Sequence, residues 1–131
     1  ANAFAAGLAG AGAMVTFTGL VRDLTGDLTG MEIEHYPGMT ERAITAMMDT
    51  ARDRFALTDA LVIHRFGHLA VGEPIMLVAT AAAHRAEAFR AAEFLMDYLK
   101  SRAPFWKKEH RAAGAEWVAA KDADEDALTR W

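Results

Sequence analysis

The stretch Ile75-Met76-Leu77-Val78-Ala79-Thr80-Ala81 is nearly all apolar, and the turn Gly72-Glu73-Pro74 precedes it. Such a run is typical of a strand at the centre of a sheet, where both faces are buried. A helical pattern follows over residues 85–100, and the chain then reaches Pro104, a residue that breaks helices. We therefore predict a central strand that leads into a long helix.

The other elements lie on both sides of this unit. Short runs of apolar and β-branched residues predict five further strands, over residues 13–21, 31–36, 60–67, 105–108 and 116–118. Apolar residues at helical spacing predict a first helix from an N-cap at Thr40 to Phe55. The buried stripe of the second helix is expected to contain Phe89, Ala92, Met96 and Leu99.

The resulting order is β–β–α–β–β–α–β–β, followed by an acidic final turn that includes Trp131. A mixed order with only two substantial helices favours an α+β sandwich over a doubly wound parallel sheet. At 131 residues, the chain is most simply one domain over residues 1–131.

The composition excludes several classes of function. No Cys is present, so disulfides, thiolate catalysis and Cys-based zinc or iron–sulfur sites are excluded, and we expect a cytoplasmic protein. The net charge of −4 argues against general nucleic-acid binding. No apolar run approaches the roughly 18–20 residues that span a bilayer, so no membrane role is expected.

Four cations lie within the nine residues from Lys100 to Lys108, interleaved with Phe105 and Trp106. A lysine before the break at Pro104 and another after it are able to face the same space. Lys107 and Lys108 point to opposite faces of a strand, so at most one of them shares a pocket with Lys100. Two ammonium groups suit a substrate that carries a phosphate and a carboxylate. The alternative is that Lys100 only complements the helix dipole.

His84 and Arg85 lie where the central strand passes into the second helix. Backbone N–H groups at a helix start attract anions, and the two side chains add charge-assisted donors. The alternative is that His84 caps the helix and Arg85 is solvated. Arg22, which follows a strand, is a weaker candidate for holding the anion. A structural or surface role is expected for the other histidines, which lack metal-ligand spacing: His35, His64, His68 and His110.

Four segments in order resemble the large, catalytic subunit of molybdopterin synthase. They are residues 15–22 (VTFTGLVR), 34–40 (EHYPGMT), 83–85 (AHR) and 97–109 (DYLKSRAPFWKKE). The resemblance extends from about Gly12 to Trp131. It implies an α/β-hammerhead-like fold with an additional antiparallel β subdomain. The opening strand common in that family is expected to be missing here.

The resemblance also implies a function in molybdenum cofactor biosynthesis. The family are sulfurtransferases that convert cyclic pyranopterin monophosphate to molybdopterin. The sulfur comes from the C-terminal Gly-Gly thiocarboxylate of a small ubiquitin-like partner, and two small subunits bind a homodimer of large subunits to form a heterotetramer. No metal or other cofactor is expected, because the partner carries the sulfur.

The resemblance assigns roles to six residues of this sequence. Lys100 and Lys107 take the catalytic roles, whereas Arg22, His84 and Arg85 grip the pterin phosphate. Lys121 stands where the family usually has an arginine that completes the anion site, and lysine lacks the bidentate fork of arginine.

Two other classes of function stay open from the residues alone. A non-catalytic binding module would use the same basic segment to hold an acidic tail of a partner. A metal-dependent hydrolase would need the histidines to converge on an ion.

Overall fold

The computed structural model describes residues 4, 9–23, 26–103, 105–111, 114–118 and 122–131. The elements in chain order are β1 (Ala13–Leu20), β2 (Leu28–His35), α1 (Met39–Phe55), β3 (Asp59–His64), β4 (Gly67–Leu69), β5 (Pro74–Ala82), α2 (Arg85–Ser101), β6 (Phe105–Arg111), β7 (Gly114–Trp117) and α3 (Asp122–Ala127). A 3₁₀ turn over Leu128–Arg130 follows α3.

Two antiparallel sheets organise these elements. In the first sheet β5 lies between β1 and β3, as its apolar composition predicts. In the second sheet the strand order is β4-β2-β6-β7. The α+β class is therefore confirmed. The sequence pattern missed β4, which has only three residues and begins at Gly67, whose φ is 87°.

Helix α2 packs against the first sheet through small residues. Ala88 and Ala91 are fully buried and allow a close approach to β5, where the Thr80 hydroxyl donates to the carbonyl of Ala88 at 2.6 Å. Phe94, Leu95 and Leu99 extend the buried face along the helix.

The predicted position of Phe89 on this buried stripe is wrong, since 61% of this residue is exposed. One position along a helix rotates a side chain by about 100°. Because Ala88 faces the sheet, Phe89 faces solvent.

The start of α1 also differs from the prediction. Gly38, at a φ of 81°, is the N-cap instead of Thr40, and its N–H donates to the Glu41 carboxylate. Thr40 is buried, and its hydroxyl accepts a hydrogen bond from the N–H of Tyr36 at 3.0 Å. The Pro37-Gly38 turn starts the helix earlier, because glycine adopts the positive φ that this turn requires.

The last residues of the chain pack against α1 and α2. Trp131 makes edge-to-face contacts with Phe55 and Phe94, at centroid distances of 5.7 and 5.5 Å. The Asp97 carboxylate, which is buried on α2, accepts hydrogen bonds from Arg130 and from the indole N–H of Trp131. These contacts hold the segment after residue 122 beside the C-terminal end of α2.

The Thr80→Val variant is expected to lower the free energy of unfolding by about 1 kcal/mol, because a buried hydrogen bond is lost without a change of shape. Urea unfolding measures this difference. Thr50→Val is the matched control, since the Thr50 hydroxyl donates to the Ala46 carbonyl at an exposed position. Equal losses in the two variants would contradict the importance of burial at Thr80.

Candidate functional site

Lys100 and Lys107 line one cavity of about 260 Å³ between α2 and β6. Lys100 lies in the last turn of α2, and Lys107 is the third residue of β6. Lys108 points to the opposite face of the strand, where its ammonium lies 5.1 Å from the ring centroid of Trp117. The remaining lining residues are Met31, His64, Leu99, Ser101, Ala103, Phe105, Trp106, Val118 and Asp124.

The chain reversal between α2 and β6 positions the two lysines. The N–H groups of Arg102 and Ala103 both donate to the carbonyl of Tyr98, at 2.7 and 3.2 Å, which closes the helix. Strand β6 then pairs with β2 so that Lys107 is opposite the buried Ile33. This register places Lys107 on the inner face of the sheet, as the cavity requires.

A second cavity, of about 590 Å³, lies on the other side of Lys100. Residues 17–22 at the end of β1 line it together with Met31 and Gly72. Arg22 is exposed at its edge. Because Lys100 lines both cavities, the structure brings Arg22, Lys100 and Lys107 into one region.

His84 and Arg85 lie at the opposite end of α2 from Lys100. The helix rises 1.5 Å per residue, which separates His84 from Lys100 by about 24 Å along its axis. His84 occupies the N-cap position, but its side chain makes no capping hydrogen bond. Both side chains are exposed. A single chain therefore does not bring this pair to the lysine cavity. Lys121 lies outside the described residues.

His64, the last residue of β3, is a cavity residue for which the sequence predicted only a structural or surface role. Its ring stacks on Phe105 at a centroid distance of 3.7 Å and an interplanar angle of 16°. Its Nδ1 atom lies 2.7 Å from the carbonyl oxygen of Arg65. Burial, reinforced by the charge of Lys107, lowers the pKa of His64 to about 4. The imidazole is therefore neutral at neutral pH.

A metal-dependent reaction would need ligands that converge. The imidazole of His110 lies 3.3 Å from the Glu32 carboxylate, and its ring centroid is 5.7 Å from that of His68. Within the described ranges, no group of three or more His, Asp or Glu side chains is placed to hold an ion. None of the helices in those ranges has the length and apolar character that crossing a bilayer requires.

Comparison with known proteins identifies the family. The sequence model of the family described as MoaE protein matches residues 1–102. The chain belongs to the MoaE family. The molybdopterin synthase catalytic subunit of Cereibacter sphaeroides is 76% identical over 131 residues, which are 100% of this chain and 90% of that protein. The family predicted from the four sequence segments is thereby confirmed.

Solved structures agree with this membership in the MoaE family. The molybdopterin biosynthesis MoaE protein from Burkholderia ambifaria MC40-6 has a TM-score of 0.82 and 46% identity, with 99% of this chain and 89% of that chain covered. A complex of subunits 1 and 2 of molybdopterin-converting factor from Helicobacter pylori 26695 has a TM-score of 0.71 at 21% identity, with 92% and 77% covered, and shows the fold alone.

Proposed function

We propose that this chain is the catalytic subunit of a molybdopterin synthase. It transfers sulfur from the C-terminal thiocarboxylate of a small ubiquitin-like partner to cyclic pyranopterin monophosphate, in the cytoplasm. The observation that carries the proposal is the cavity shared by Lys100 and Lys107, in a chain 76% identical to a protein named as this subunit. A catalytic subunit works with at least one other subunit, which supports the predicted partner.

The lysine cavity suits the chemistry of this transfer. In each transfer the thiocarboxylate sulfur displaces an oxygen substituent from a carbon of the pterin substrate, and this oxygen leaves with a proton. Water then cleaves the acyl carbon–sulfur bond, so that the sulfur stays on the pterin and the tail leaves as a carboxylate. The carbonyl oxygen of the tail gains negative charge in the cleavage step. An ammonium group at Lys100 or Lys107 stabilises that oxyanion, and a lysine also serves to donate or accept a proton.

The pterin phosphate needs a separate anion site. The cavity of about 590 Å³ beside Lys100 opens at Arg22, whose guanidinium suits a phosphate. His84 and Arg85 are too far from Lys100 to join this site in the same chain. We assign them to the site of the second chain of the homodimer. This assignment requires that the two-fold axis bring the start of each α2 to the other chain's lysine cavity.

Reconstitution tests the function. The purified chain is mixed with thiocarboxylated small subunit and cyclic pyranopterin monophosphate, and molybdopterin is scored by the fluorescence of its oxidised derivative. Product that depends on both components supports the proposal. No product from a complex that still forms on a sizing column would favour the binding-module alternative.

Mixing two inactive variants tests the shared site. Lys100→Ala and Arg85→Ala are each expected to lose most activity, the second through weaker pterin binding. After the chains exchange, half of the dimers are mixed and each mixed dimer has one intact site. The mixture is therefore expected to recover roughly a quarter of wild-type activity.

As the control for this mixture, each variant alone is taken through the same subunit exchange. A mixture no more active than the controls would show that Arg85 serves its own chain. Unchanged pterin affinity of Arg85→Ala in a binding titration would remove Arg85 from the anion site.

A further inference from the structure

His64 lines the lysine cavity, and the proposed reaction gives it no role. Two contacts fix its ring. The face-to-face stack on Phe105 sets the plane of the imidazole, and the 2.7 Å contact between Nδ1 and the Arg65 carbonyl sets its rotation. Because a carbonyl oxygen only accepts hydrogen bonds, Nδ1 carries the proton. The other nitrogen, Nε2, is therefore an acceptor in the neutral ring.

The titratable and charged groups around His64 come from five elements. On the side of the lysine cavity they are Lys100 of α2, Lys107 of β6 and Asp124 of α3. On its other side His64 lines a cavity of about 280 Å³ with His35 of β2 and Glu41 of α1, whose side chains lie 3.7 Å apart. Lys107 contributes to the low pKa of His64, so the two side chains are electrostatically coupled.

We propose that His64 is a positioning residue for sulfur transfer, whose Nε2 accepts a hydrogen bond from the Lys107 ammonium and fixes that ammonium at the cavity wall. This proposal rests on the proposed function. A neutral acceptor orients an ammonium without competing with the substrate anions for its charge. It also favours the protonated form of Lys107, which is the form that stabilises an oxyanion.

Three variants separate the parts of the imidazole. His64→Phe keeps the stacked ring without either nitrogen. His64→Asn keeps a donor for the Arg65 carbonyl but has no acceptor at the Nε2 position, whereas His64→Gln places an amide oxygen near that position. We expect kcat to fall about 10- to 100-fold in the Phe and Asn variants, with a small change in KM, and His64→Gln to recover part of the loss.

The pKa of Lys107 gives a readout that does not depend on turnover. The chain has four lysines (Lys100, Lys107, Lys108 and Lys121), so ¹³C-dimethylated lysines give few NMR signals to assign by substitution. Without the acceptor the ammonium form is less stable, and the Lys107 titration is expected to move to lower pH in His64→Phe. The basic limb of the kcat–pH profile should move in the same direction. His68→Phe, at an exposed position, is the matched control and should change neither.

The outcomes are distinct. An unchanged Lys107 titration in both His64→Phe and His64→Asn overturns the proposal, as does full kcat in those variants. Full activity of His64→Asn with an inactive His64→Phe also overturns it, because only the contact with Arg65 would then matter. An inactive wild-type complex with a shifted Lys107 titration would overturn the proposed function and leave the hydrogen bond established.

Discussion

Lys100→Ala is expected to lower molybdopterin formation by about 10²- to 10³-fold while the complex with the small subunit still forms. The variant removes an ammonium from the point where the two cavities meet, and loss of one oxyanion donor has an effect of this size in other enzymes. Single-turnover fluorescence of the oxidised product measures the rate. A sizing column measures complex formation separately.

Lys108→Ala is the matched control for this experiment. Lys108 belongs to the same basic segment, but it lies over Trp117 on the outer face of β6. If Lys108→Ala is fully active and Lys100→Ala is inactive, the loss of activity is due to the ammonium group in the cavity. Comparable losses in both would show that only the net charge of the segment matters.

Arginine at position 100 separates catalysis from binding. Lys100→Arg keeps the positive charge, but a guanidinium does not release a proton near neutral pH. If Lys100 transfers a proton, this variant stays inactive while it holds the partner tail. Wild-type function of Lys100→Arg would favour a module that only binds the acidic tail.

Phe94→Ala is expected to lower the free energy of unfolding by about 3–5 kcal/mol, because it leaves a cavity at the centre of the core. Phe94 is 1% exposed and contacts the rings of Phe55, Tyr98 and Trp131. Equilibrium unfolding in urea measures the loss. In a chain of 131 residues, such a loss removes a large part of the total stability.

Phe89→Ala on the same helix is the control, since 61% of Phe89 is exposed and truncation leaves no cavity. Its free energy of unfolding should stay within about 0.5 kcal/mol of wild type. A large loss at Phe89 would mean that this side chain is covered in solution, for example by a second chain.

The sequence predicted the strands and helices well because their apolar periodicity is strong. The central strand and the second helix are each within one or two residues of β5 and α2. The prediction for Phe89 is wrong because the first half of the buried face of α2 consists of alanines, whose small side chains give a weak periodic signal. The N-cap is Gly38 and not the predicted Thr40, because the geometry of the turn, rather than a capping side chain, starts the helix.

The candidate site was only partly predictable. The break at Pro104 was sufficient to predict that Lys100 and Lys107 share a space, because it depends on local chain direction. His64 was missed, since its burial depends on Phe105, 41 positions further along the chain. The separation of His84 from Lys100 follows from the length of the helix. The proposed contribution of a second chain depends on assembly, which local sequence patterns do not encode.

The pairing of β6 with β2 makes the number of residues between the end of α2 at Ser101 and the start of β6 at Phe105 critical. Side chains alternate along a strand, so one residue inserted or deleted in this segment that shifted the pairing by one would exchange the two faces of β6. Lys108 would then face the cavity, and Lys107 would face solvent. We expect natural variation in this family to avoid length changes there.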